Sequence, residues 1–315
     1  MISLKIGSFI TMFETLLSII FVYIFIFLGY LAKRIFKEEM DSKTLTLFSV
    51  YFLQGFVTVW GFSTAKLSAE HALVPLYYIG IIFLLLLPTL LVAKKFIKDP
   101  KERAIVSIAG FVGNTGNIGI PLGIALFGME SVIYTTLINI ANVFVVYILG
   151  VYIYSRGSFS IKQSLFNIIK IPIIPASAIA ILININNIEL VPQIQEFFKM
   201  GAYAGIVLQL FLLGTFLYGI KLTALKKSLF FTIMSQKFIL IPLATALILS
   251  FTDLSLFIQG VILMEVSVPL AVANINLASL YECKPKDVTA LIMLSTLIFL
   301  PVLFLLSEVV GRFYL

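Results

Sequence analysis

The chain has little of what most catalytic sites are built from. Its 315 residues include one cysteine, Cys283, and one histidine, His71. A lone cysteine excludes an internal disulfide framework and any multi-cysteine metal site. A lone histidine, with no His-Glu-x-x-His pattern, leaves no zinc-hydrolase or cysteine–histidine arrangement to assemble. Charge is scarce too: 12% of residues are charged, against about a quarter in soluble domains. No Pro/Ser-rich linker or low-complexity tract marks off a separate domain.

What fills the chain instead is apolar. Hydrophobic residues make up 61% of it and the mean hydropathy is +1.11. A spanning helix needs about 20 apolar residues. Ten candidates follow in order: 15–32, 44–62, 72–93, 104–128, 131–154, 166–185, 202–220, 228–250, 254–280 and 288–306. This predicts an all-α, multi-pass protein of a cell (inner or plasma) membrane. Lys5 precedes the first span, and no small-residue cleavage site follows Ala32. The segment therefore reads as a retained helix and not as a signal peptide. The pI of about 9.3 would suggest a nucleic-acid partner in a soluble protein. Here the basic residues lie in short loops, which points to topology and to no nucleic acid.

Seventeen of the 22 lysines and arginines fall in the odd-numbered loops. Lys5, Lys66, Lys199 and Arg312 fall on the other side, and Lys237 lies inside the eighth span. The positive-inside rule then places the odd loops in the cytoplasm and both termini outside.

Ten spans divide into two groups of five, 1–157 and 158–315. Five is odd, so a duplicated second half must be inverted in the membrane. The fourth and ninth spans support the duplication. Gly110–Gly128 in the fourth holds six glycines with Asn114, Thr115, Asn117 and Pro121. Glu265–Ser279 in the ninth joins Pro269 to Asn274 and Asn276. Glycine lowers helix stability by about 1 kcal/mol and proline by roughly 3. Buried amides need partners. Such backbone survives in a bilayer only inside protein or along a cavity. Paired interruptions at matching positions are the best sequence pointer to a transporter's site. At 1.5 Å per residue, Asn114, Lys237 and Glu265 each lie ~14–16 Å into their spans, near the midplane. Half-helix N-termini there suit an anion.

Each candidate has a plainer reading beside it. Asn114, Thr115 and Asn117 can serve a site or pack neighbouring helices. Asn139 and Asn142 can face the break or serve as packing polars. Glu265 can titrate in proton coupling or form a fixed ion pair with Lys237. Lys237 can attract a solute carboxylate or act as that counter-ion. Gly201 and Gly205 read as helix packing. Glu70, His71, Glu130 and Asp253 fall near membrane edges and are expected to be solvated. Trp60, Tyr77 and Tyr78 fit an outer aromatic belt.

The motifs Gly113-Asn-Thr-Gly-Asn-Ile-Gly-Ile-Pro-Leu122 and Leu126-Phe-Gly128 resemble the first crossing helix of the auxin efflux carrier family. That family includes plant auxin transporters and bacterial malate and malonate permeases. Pro269–Tyr281 resembles its second crossing helix. Lys237 with Pro242, Ser295-Thr296 with Pro301, and Gly29-Tyr30 with Lys33-Arg34 fit in order. The resemblance implies ten helices in two inverted repeats, with helices four and nine broken at proline and crossing. It also implies a scaffold part and a transporter part that move against each other. By motif match, Asn114, Asn117 and Pro121 carry over as the first crossover, and Pro269 and Asn274 as the second. Gln54 and Gln209 depart from the family, which places proline there. The short central loop is similar to that of prokaryotic members.

The expected function is secondary active transport of small organic anions, dicarboxylates or auxin-like carboxylates, by alternating access. Asn114, Thr115, Asn117, Pro121, Asn142, Pro269, Asn274 and Asn276 form the expected substrate site, with Glu265 and Lys237 handling charge. No cofactor or metal is called for. A proton through Glu265, or a sodium ion on freed carbonyls, is the expected coupling ion. The partners are the anion, membrane lipid and, as one option, a second copy in a homodimer. A membrane-embedded sensor or scaffold is the rival, and an intramembrane enzyme is disfavoured.

Overall fold

The computed structural model describes residues 17, 20–21, 23–63, 66–155, 160, 162, 169–219 and 225–314. Lys5, Arg156, Lys221, the starts of the first and sixth expected spans and the repeat boundary at 157/158 lie outside the described residues.

The described chain is helical, and no strand forms among the described residues. Helix α1 covers 23–36. Then follow α2 (Thr44–Ser63), α3 (Ala69–Phe96), α4 (Pro100–Ile108), α5 (Thr115–Phe127) and α6 (Ser131–Tyr154). The remainder are α7 (Ile173–Ile185), α8 (Pro192–Phe216), α9 (Lys227–Leu249), α10 (Leu256–Ser267), α11 (Ala273–Leu280) and α12 (Pro285–Phe313). Among the described residues, α2, α3, α6, α8 and α9 are long and apolar enough to cross a membrane. Helix α12 bends by 50° at Pro301 and makes a sixth if its two parts are one span.

Local chemistry sets the helix starts. Asp99 accepts hydrogen bonds from the Lys101 and Glu102 amides, with Pro100 in the first turn of α4. Ser255 caps α10 through the Ile258 amide. Ser68 and His71 form a reciprocal cap on α3. His71 is therefore not a solvated edge residue. It is buried, and its ring stacks on Tyr134 at 4.8 Å. Trp60 and Tyr78 also depart from the aromatic belt. Both are buried in protein, Trp60 edge-on to Tyr203. A sequence window registers their depth but not which way they face.

The fourth and ninth expected spans are each divided into two short helices, α4/α5 and α10/α11. The first division falls at 109–114 and not at Pro121, which sits in the helix that follows. Proline lacks an N–H and clashes with the preceding turn. Here the five residues before Ile120, Thr115–Gly119, widen into a π-helical turn that absorbs the misfit. Gln236–Leu240 does the same ahead of Pro242 in α9. Pro269, by contrast, lies within the second break, between α10 and α11.

The helices pack in two groups. Helices α7 and α8 both lie against α2. Gly201 and Gly205 of α8 face Phe56 and Val57, as packing residues do. The Tyr30 and Tyr218 rings join α1 to the end of α8. The second group joins α3 to α6, α5 to α6, and α9 to α10. It holds both breaks, and the larger hydrophobic core runs through it and on to Ile26, Trp60 and Leu210 of α1, α2 and α8.

Candidate functional site

The two breaks cross and pair. The Asn114 amide donates to the Pro269 carbonyl at 2.9 Å, and the Ala271 amide to the Val112 carbonyl at 2.8 Å. Gly113 and Leu270 thereby form an isolated antiparallel bridge. Each break has its own asparagine–tyrosine brace. Asn142 donates to the Gly113 carbonyl at 2.9 Å and accepts from the Tyr78 hydroxyl at 3.2 Å. Asn274 donates to the Val112 and Ala271 carbonyls at 3.2 Å and accepts from the Tyr154 hydroxyl at 3.2 Å. Ser295 of α12 supports the Leu270 amide. Extended backbone in an apolar interior must find partners, and these side chains supply them.

The crossing sorts the four helix ends by charge. Helices α4 and α10 both run into it, so their C-terminal carbonyls point there. Lys237 meets them: its Nζ donates to Gly110 O at 3.1 Å and Val266 O at 2.9 Å. A buried amine is thus held on the partial negative ends of two helices. Lys237 forms no ion pair with Glu265. The Glu265 carboxylate is fully buried, and neither of its oxygens has a hydrogen-bond partner. It lies over Gly119, where a Cβ would overlap it.

The opposite ends, the N-termini of α5 and α11, open on a cavity of about 360 Å³ between the two helix groups. A helix N-terminus carries unpaired N–H groups and partial positive charge. Gly113–Asn117 and Ala271–Ala273 form this side of the cavity, with Asn276 from the next turn of α11. Asn139 and Asn142 of α6 lie beside them. Thr115 donates to Asn139 at 2.9 Å and accepts from Asn142 at 3.1 Å, which holds the rim in place. The Asn114 Nδ2 is buried and has no partner. The facing wall comes from α2, α7 and α8, with Tyr51, Gln54, Leu212 and Phe216. Among the described lining residues none is charged.

The structure therefore separates the expected site residues. Asn114, Thr115, Asn117, Asn142 and Asn276 line the cavity together. Asn274, Pro269, Pro121, Lys237 and Glu265 do not. Asn274 and Pro269 serve the crossing itself, and the charged pair lies behind it. Sequence reasoning missed Tyr147 and Phe216 as lining residues and Tyr78 and Tyr154 as braces. Only the odd placement of tyrosine hydroxyls in apolar spans could have flagged the braces, since a buried Tyr O–H needs a partner.

At one edge of the molecule an ion network ties three connections together. Lys284 pairs with Asp99 and Glu102, and Lys226 reaches Glu102 at 2.9 Å. The Lys284 hydrogen bond holds both carboxyl groups below their ordinary range. Burial opposes the charge on Lys284, but its two carboxylate partners outweigh that and raise its pKa.

The family described as membrane transport protein matches this sequence in two segments, residues 14–164 and 156–307, one in each half. An uncharacterized transporter of Methanocaldococcus jannaschii is 27% identical over 292 residues, covering 88% of this chain and 93% of the relative.

Proposed function

This chain belongs to the membrane transport protein family, and from that premise we propose that it is a secondary active transporter whose solute sits at the N-terminal ends of α5 and α11. The observation that carries this is the unpartnered Asn114 Nδ2 in a cavity where two half-helix N-termini converge. Amide donors and helix N-termini are suited to a carboxylate. Among the described lining residues the cavity offers one such locus and no cationic side chain, and its facing wall mixes Leu47, Leu212 and Phe216 with the uncharged polar groups of Thr46, Ser49, Tyr51 and Gln54. That favours a monocarboxylate with an apolar or aromatic body over a dicarboxylate, whose second charge would be buried without a partner. Asn117 and Asn276 complete the polar side.

The chain would form ten spans in two inverted repeats, with α4/α5 and α10/α11 as the broken fourth and ninth. The cavity residues from α2, α6, α7 and α8 lie toward the odd-numbered loops, so the conformation is open to the cytoplasm. The group of α2, α7 and α8 would act as scaffold, and the crossing group would move against it. Lys237 already holds the carbonyls at the ends of α4 and α10. This favours a proton through Glu265 over a sodium ion at that point.

Uptake into proteoliposomes tests the reading, with indole acetate, phenylacetate, malate and malonate under imposed pH and sodium gradients. Saturable monocarboxylate uptake driven by pH, weakly inhibited by dicarboxylates, is the expected result. Failure of every gradient to move any carboxylate would overturn it.

A further inference from the structure

Behind the crossing lies a second crevice, between α3 and α9, with a volume of about 500 Å³. It shares no residue with the central cavity. Apart from Thr89 and Thr232 its walls are apolar, with Leu85, Pro88, Val92 and Phe96 on α3 and Leu240 and Ala244 on α9. Val92, Phe96 and Leu240 are exposed, so the mouth faces the region that lipid occupies. At its inner end is Gln236, which begins the π-helical turn of α9. Gln236 is 5% exposed, and neither its Oε1 nor its Nε2 has a hydrogen-bond partner. The amide lies over Gly110, where a Cβ would come within 3.0 Å of Gln236 Cδ.

A buried amide with both atoms unpaired is uncommon and calls for an explanation. Lipid tails fill apolar crevices but offer such an amide nothing. Among the described residues lining the crevice none is charged, so an ionic headgroup would find no counter-charge there. We propose that this crevice is a binding site for an uncharged, membrane-soluble molecule, an apolar chain ending in one hydroxyl or carboxamide group that pairs with Gln236. Such a ligand enters from the bilayer and leaves the central cavity free. One terminal group that both donates and accepts satisfies the two orphaned amide atoms, and the chain fills the remaining length.

Photolabelling of the full chain in liposomes tests this, using a long-chain alcohol that carries a diazirine. Mass spectrometry is expected to find saturable labelling on α3 and α9, competed by excess dodecanol. A diazirine alkane without the hydroxyl is expected to label the same helices without saturation. Gln236→Leu should lower the saturable labelling about tenfold, the loss of a hydrogen-bonding partner in an apolar site. Ala244→Phe fills the crevice without removing a hydrogen bond and should lower it as far. This second variant and the alcohol–alkane comparison decide the matter if Gln236→Leu does not fold. Equal, non-saturable labelling by alcohol and alkane overturns the proposal, as does saturable labelling that survives Ala244→Phe.

Discussion

Lys237 Nζ donates to Gly110 O at 3.1 Å across 127 residues of sequence, while also holding Val266 O at 2.9 Å. One side chain thus satisfies the ends of two interrupted helices. Lys237→Met would leave both carbonyls buried and unpaired. Each buried acceptor left unsatisfied costs about 1–3 kcal/mol. The variant should therefore melt well below the parent in detergent, with uptake lost together with fold. A Lys237→Met protein as stable as the parent would remove this lysine from the architecture of the crossing.

Gly119 and Glu265 occupy one space. Gly119→Ala should destabilise the protein by about 1–3 kcal/mol, since overpacking a closed core forces shifts. Glu265→Ala vacates that space, so the double variant should be less impaired than the sum of the singles. Thermal melting of the four proteins measures the coupling. Additive losses would mean the two residues do not meet.

Two cavity asparagines should fail in different ways. Asn114→Ala removes an amide whose Nδ2 has no protein partner, so uptake should fall at least tenfold with melting unchanged. Asn142→Leu strips the Gly113 carbonyl of a donor and the buried Tyr78 hydroxyl of its acceptor, at about 1–3 kcal/mol for each buried group left unpaired. Melting and initial uptake rates, measured side by side, separate the two. Equal loss of stability in both variants would contradict the distinction.

Glu265→Gln should uncouple or abolish uptake while the protein still inserts and melts normally. Among the described residues the carboxylate is the one acidic group enclosed beside the crossing, and the amide is its uncharged isostere. Normal, pH-driven uptake by that variant would exclude Glu265 as the coupling group.

The edge network makes a pH prediction. Asp99 and Glu102 have lowered pKa values in the folded chain. Their contribution is present above the ordinary carboxylate range, near pH 4, and is lost as pH falls through the lowered values. Lys284 has a raised value, so its share is full below the ordinary lysine range and is lost only as pH rises through the folded value. Melting temperatures of parent and Glu102→Gln should converge as the medium is acidified below about pH 4. A constant difference between them across that range would exclude the linkage.

Much of this protein was determined locally and could be read from the chain. Apolar runs of spanning length establish a multi-pass helical protein. Asp99-Pro100 and Ser255 mark helix starts because caps act on adjacent amides. The glycine, asparagine and proline content of 110–128 and 265–279 identifies the two interruptions, since no lipid-exposed helix tolerates it. What the tertiary structure decided is which face each residue presents. Asn114 and Asn274 look equivalent in sequence, yet one opens on the cavity and the other braces backbone. An amide has the same chemistry toward a solute and a carbonyl, and only its neighbours settle which it meets. Lys237 and Glu265 share a depth, which suggested an ion pair. Packing directs one to two helix ends and the other onto Gly119. Length and periodicity report depth along a span, but the rotation of one helix against another arises only when distant segments pack.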